Sequence, residues 1–95
     1  MYLVKFSKMA EKDKGRLKNA GLVFKAKALL DVISQNPFQN PPPYERLVGN
    51  LEGFYSRRIN IKHRLVYEVY IEEIFENEQK YDGLVKVARM WSQYE

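Results

Sequence analysis

The 95-residue sequence has no cysteine and a single histidine, His63. Without thiols there is no disulfide framework and no thiolate metal site, and one imidazole cannot build a His-rich one, so neither metal nor cofactor is expected. Long apolar runs are also missing. No window approaches the roughly 20 apolar residues of a membrane-spanning helix, and the chain does not open on the apolar stretch of a signal peptide. A cytoplasmic protein with no membrane partner is the expectation. What is present suits one packed core: 45% apolar and 29% charged residues, read as a single domain over 1–95.

Charge is unevenly spread. Residues 72–82 carry five acids (Glu72, Glu73, Glu76, Glu78, Asp82) and one base, Lys80. Of 12 acids and 16 bases in the chain, the remainder therefore keeps 7 and 15, a net charge of +8. A body this basic suits RNA or an acidic protein, or serves as a solubilising surface.

Taken in order, Tyr2-Leu3-Val4-Lys5-Phe6 predicts a strand with Tyr2, Val4 and Phe6 on one face. Ser7 is placed to cap a helix over Lys8–Ala20, whose apolar members Met9, Ala10, Leu17 and Ala20 form a narrow stripe. Gly21 suits the left-handed position after it. A second helix then presents Leu22, Ala26, Leu29 and Ile33, widened by Val23 and Leu30, as a core face. Residues 36–43, with Pro37 and the run Pro41-Pro42-Pro43, predict a stiff extended connector that carries Tyr44 and Glu45 to the side of a sheet.

Two strands follow. Tyr55, Arg57, Ile59 and Ile61 form the apolar-parity set of the first, and His63, Leu65, Tyr67, Val69 and Ile71 that of the second. If both sets face the core, odd residues pair with odd, and Arg58 and Arg64 come together on the other face. The acidic residues 72–82 have no convincing period and read as an extended, mobile turn excursion before a last strand over 84–91. The order β-α-α-β-β-β predicts an α+β fold: a mainly antiparallel sheet with one face covered by a helix pair.

Several side chains have competing readings. Arg58 and Arg64 can clamp a phosphate through paired guanidinium hydrogen bonds, or pair with Glu45, Glu52 or Glu68. Glu45 is a candidate general base or a solvated carboxylate. Arg57 falls on the core-facing parity, where a structural role such as snorkelling at the sheet edge is expected, and is also included with Lys62, Arg89 and Trp91 among the residues expected to contact RNA. Trp91 and Tyr94 could stack on bases, although Trp91 could equally be core. His63, at the turn and on the inward parity, reads as a structural hydrogen-bonding residue.

The blocks Asn36-Pro37-Phe38, Tyr44-Glu45-Arg46-Leu47, Asn50-Leu51-x-Gly53-x-Tyr55-Ser56-Arg57-Arg58-Ile59, His63-Arg64-Leu65-Val66-Tyr67 and Met90-Trp91-Ser92-Gln93-Tyr94, in this order, resemble the YoeB/Txe branch of the RelE-like toxins. The resemblance implies the toxin of a bacterial toxin–antitoxin pair, a ribosome-dependent endoribonuclease that cuts mRNA by attack of a 2′-hydroxyl on the adjacent phosphate. It implies a YefM-type antitoxin with an acidic tail as partner, and leaves a homodimer open. Carried over by position, Glu45 is the general base, Arg58 and Arg64 stabilise the phosphate, Tyr94 is the terminal tyrosine, and Gln93 stands where the family has its catalytic histidine. A glutamine amide can hydrogen-bond a phosphate but has no proton to give at neutral pH, so a weakened nuclease is expected. The competing expectation is a non-catalytic module that holds RNA or an acidic protein on the same basic face. The acidic excursion is longer than the family's short turn.

Overall fold

The computed structural model describes residues 1–91. Among these residues seven strands and two α-helices follow one another: β1 (Tyr2–Phe6), α1 (Lys8–Asn19), α2 (Val23–Gln35), β2 (Glu45–Arg46), β3 (Phe54–Arg58), β4 (Arg64–Tyr70), β5 (Ile74–Glu76), β6 (Gln79–Tyr81) and β7 (Gly83–Arg89), with a short 3-10 turn over Gly49–Leu51 between β2 and β3. The main sheet has the order β1-β7-β4-β3-β2. Only the β1–β7 pair is parallel; β7–β4, β4–β3 and β3–β2 are antiparallel. The fold is thus α+β with a mostly antiparallel sheet, as the sequence predicts, although the simple β-α-α-β-β-β order lacks three of its strands.

Local chemistry explains the helix boundaries. The Ser7 hydroxyl accepts from the Ala10 amide at 3.0 Å, so a first-turn donor of α1 is satisfied. Gly21, with φ +71°, reverses the chain between the helices, a conformation that costs glycine little. Ala10 and Leu17 from α1 and Ala26, Leu29 and Ile33 from α2 pack on Ile59, Leu65, Tyr67, Val85, Val87 and Met90. Both helices therefore cover the odd-numbered face of the central strands. The stripe of α2 is narrower than expected: Val23 is 43% exposed and Leu22 is the half-buried residue before the helix. Met9 and Ala20 likewise face solvent.

The central hairpin has the expected register, with Tyr55 opposite Tyr67, Arg57 opposite Leu65 and Arg58 opposite Arg64. Its strands are shorter than predicted. Ile61 and Ile71, assigned to the inward face, are 89% and 72% exposed because each lies beyond a strand end. Residues 72–82 also differ from expectation. Where the sequence predicts an extended, mobile turn excursion, they contain the β5–β6 hairpin, turned at Asn77 and Glu78 with φ of 53° and 62°. Two consecutive left-handed residues match the right-handed twist of the flanking strands, and asparagine tolerates that region well.

The connector after α2 is not simply extended. The Asn36 side chain accepts from the Phe38 amide at 3.0 Å and its carbonyl from the Gln39 amide at 3.1 Å, which bends the chain before the proline run. Glu45 and Arg46 then pair with Ser56 and Tyr55 as the edge strand β2.

Candidate active site

The register of three strands assembles the site. Glu45 on β2 lies opposite Ser56 on β3, Ser56 lies opposite Val66 on β4, and one step along, Arg58 lies opposite Arg64. All are on the face away from the helices, because residues paired across a sheet share a side. Pro43, Tyr44, Glu45, Ser56, Arg58 and Arg64 line a cleft of about 190 Å³. The Glu45 carboxylate comes within 3.9 Å of Arg64 Nη1; its side chain is 67% exposed, that of Arg64 22%. An acceptor that can take a proton thus shares a cleft with two cations, an arrangement able to hold an anion and deprotonate a neighbouring hydroxyl.

The buried side of the hairpin holds the connector that delivers Glu45. Arg57 is 1% exposed. Its Nε donates to the Tyr67 hydroxyl (3.0 Å), Nη1 to the Pro42 carbonyl (2.5 Å), and Nη2 to the carbonyls of Pro37 (3.0 Å) and Gln39 (2.8 Å). The guanidinium also lies over the Tyr44 ring, 4.9 Å from its centroid. Arg57 therefore has the structural role that its parity suggested, enclosed rather than snorkelling, with its guanidinium donating to carbonyls and a hydroxyl inside the protein.

Asp13 is a structural anchor that the sequence reading missed. Fully buried on α1, it accepts from Arg89 Nε (3.0 Å), Arg16 Nη1 (3.3 Å) and the Met90 amide (2.9 Å). Burial pushes this carboxyl up, but the hydrogen bonds from Arg89 and Met90 and the charges of Arg89 and Arg16 prevail and hold it below its ordinary value. The available signal was its place in the stripe Ala10-Asp13-Leu17, at helical spacings of three and four. Arg89, expected to contact RNA, is bound to this buried carboxylate and keeps part of its side chain exposed.

His63 is buried, and its ring stacks on Trp91 with centroids 3.9 Å apart. Its Nδ1 meets the Trp91 carbonyl oxygen. Burial and the nearby Lys62 charge lower the His63 pKa, against a smaller opposing effect of Asp13. His63 is a structural residue, as its parity suggested. Trp91, half-buried against this ring, is engaged in packing, whereas Lys62 is exposed in the β3–β4 turn and outside the cleft lining. Gln93 and Tyr94 lie outside the described residues.

Among the described residues, no group of three or more His, Cys, Asp or Glu side chains could hold a metal ion. Nor is any helix among them long and apolar enough to cross a membrane.

Comparison with known proteins follows the same residues. Residues 9–82 match the model of the YoeB-like toxin of bacterial type II toxin–antitoxin systems. Toxin YoeB of a Synechocystis species is 42% identical over 59 residues, 62% of this chain and 62% of that protein, so the chain spans less than two thirds of this curated relative. The YoeB dimer from Staphylococcus aureus is 32% identical and superposes with a TM-score of 0.75 over 98% of both chains. In the YoeB–YefM complex from the same organism, a matching chain is 31% identical, with a TM-score of 0.71 over 99% of both chains. The chain belongs to the YoeB-like toxins of bacterial type II toxin–antitoxin systems.

Proposed function

We propose that this chain is a ribosome-dependent endoribonuclease that cleaves mRNA in the bacterial cytoplasm and is held inactive by a YefM-type antitoxin with an acidic tail. The observation that carries the reading is the convergence of Glu45, Arg58 and Arg64 on one cleft. Glu45 removes the proton of a ribose 2′-hydroxyl, and O2′ bonds to the adjacent phosphorus. Arg58 and Arg64 hold the charge that accumulates on the non-bridging oxygens. The P–O5′ bond then breaks, leaving a 2′,3′-cyclic phosphate and a 5′-hydroxyl whose oxygen has taken a proton.

Gln93 cannot supply that last proton, so in this chain it comes from solvent, with a rate lower by roughly 10²- to 10⁴-fold than with an acid in place. Tyr94, beside it in sequence, is a further candidate for the reaction by the same resemblance. The S. aureus relatives include a dimer and an antitoxin complex, which supports a second copy and an antitoxin as partners here. The +8 charge of the chain outside 72–82 suits an acidic tail.

Mapping of mRNA cleavage on programmed ribosomes tests the reading. Glu45→Ala and Arg64→Ala are expected to abolish cutting and Gln93→His to raise it. Unchanged cleavage in all three variants would remove the catalytic assignment. Gln93 also favours a second reading, a module that holds RNA without cutting it, for which RNA affinity should fall steeply with salt while no product forms.

A further inference from the structure

Ser56 is 1% exposed, and its hydroxyl has no hydrogen-bond partner. Such groups are uncommon, because nothing compensates the water they lose. An alanine here, opposite Val66 in mid-strand, would avoid that loss entirely. Yet Ser56 lines the same cleft as Glu45, Arg58 and Arg64, opposite the first and next to the two arginines on the same face.

We infer that the Ser56 hydroxyl is a third donor to the anion seated between Arg58 and Arg64, an oxygen of the RNA phosphate. This rests on reading the cleft as a phosphate site, and adds a residue to it. Having no bond to break, the hydroxyl can turn among its staggered χ1 positions toward an incoming oxygen. Glu45 is no obstacle: mostly exposed and 3.9 Å from Arg64, its carboxylate yields the guanidinium to a stronger ligand. Two guanidinium groups attract any anion, whereas a neutral donor fixed in the strand favours a tetrahedral one with an oxygen turned to the sheet.

Titration of the purified protein with inorganic sulfate, followed by backbone amide shifts of β3 and β4, tests this without any need for RNA cleavage. Ser56→Ala is expected to weaken saturable sulfate binding about 10-fold, the scale of a hydrogen bond to a charged group. Ser56→Thr, which keeps the hydroxyl, should stay within about threefold of the parent if that bond is the cause. The thermal midpoint of Ser56→Ala should not fall, since the serine has no partner to lose. Equal sulfate affinity in parent and Ser56→Ala, no saturable binding to the parent, or a destabilised Ser56→Ala protein would each overturn the inference. The two readings separate: loss of sulfate affinity in a protein that cuts no RNA keeps the donor and removes the nuclease, while mRNA cleavage with unaltered sulfate affinity does the reverse.

Discussion

Arg57 Nε donates to the Tyr67 hydroxyl at 3.0 Å, and both side chains then donate to one acceptor, the Pro37 carbonyl, at 3.0 and 2.8 Å. This pair ties the proline connector to the hairpin, and the connector delivers Tyr44 and Glu45 to the cleft. Burial raises the pKa of the Tyr67 phenol, which keeps it a donor at any physiological pH.

Breaking that tie should be expensive. Arg57→Ala leaves the carbonyls of Pro37, Gln39 and Pro42 without this donor and opens a cavity, so a loss of about 3–5 kcal/mol is expected in urea unfolding. Tyr67→Phe removes one hydroxyl and should cost about 1–2 kcal/mol. Arg57→Lys should not rescue, because a single ammonium cannot reproduce the fork that meets three carbonyls. A stability near the parent's in Arg57→Ala would refute the anchoring role.

Asp13 should make the fold acid-sensitive. Its carboxyl is held below the ordinary value, so its contribution is fully present above the unfolded-state pKa and is lost as pH falls through the folded one. Asp13→Asn is expected to cost about 2–4 kcal/mol at neutral pH, since Arg89 and Arg16 lose a buried counter-charge. The gap between the two proteins should begin to close only as pH falls below the ordinary aspartate value, about 3.9, and vanish once it has passed the lower folded-state value, where the parent carboxyl is itself protonated. Thermal unfolding of both proteins across that range checks the sign; a gap that widens in acid would contradict it.

His63 predicts a second, milder pH dependence. Its folded-state pKa is depressed, so the neutral ring contributes stability above the ordinary histidine range, about 6.5, which is lost as pH falls through the folded value. An NMR titration of the imidazole should give a midpoint below that of a free histidine. In His63→Leu the corresponding part of the pH-stability curve should flatten. A midpoint above the free value would mean that an unseen acid, rather than burial, governs the ring.

Arg58 and Arg64 should each register in the salt dependence of RNA binding. For single strands, each phosphate contact contributes roughly 0.7 to the slope of log K against log salt. Arg58→Ala and Arg64→Ala are each expected to lower the slope by about that amount. An unchanged slope in both variants would take these arginines off the phosphates.

Much of this architecture follows from local chemistry that the sequence displays. Period-2 alternation in residues 54–59 and 63–69 determined that Arg58 and Arg64 share the face away from Leu65 and Tyr67, because a strand has only two sides. Ser7 and Gly21 determined where α1 starts and where the chain turns after it. The Asn77-Glu78 turn was written as plainly, yet a dense run of acids obscured a hairpin only three residues long on each side.

What only the tertiary structure decided are the partners of polar groups that pattern alone sends elsewhere. An arginine on an apolar parity and an aspartate in an apolar stripe look like exceptions until the Pro37, Gln39 and Pro42 carbonyls and the Arg89 side chain are brought to them. These contacts span up to 77 residues of chain, as between Asp13 and the Met90 amide. The same holds for the cleft: the sequence determined that Glu45, Ser56, Arg58 and Arg64 are present, but their meeting depends on edge pairing of β2 with β3. That two-residue strand carries too little periodicity to be read in advance, and the connector that sets its register is held by side chains on the opposite face of the sheet.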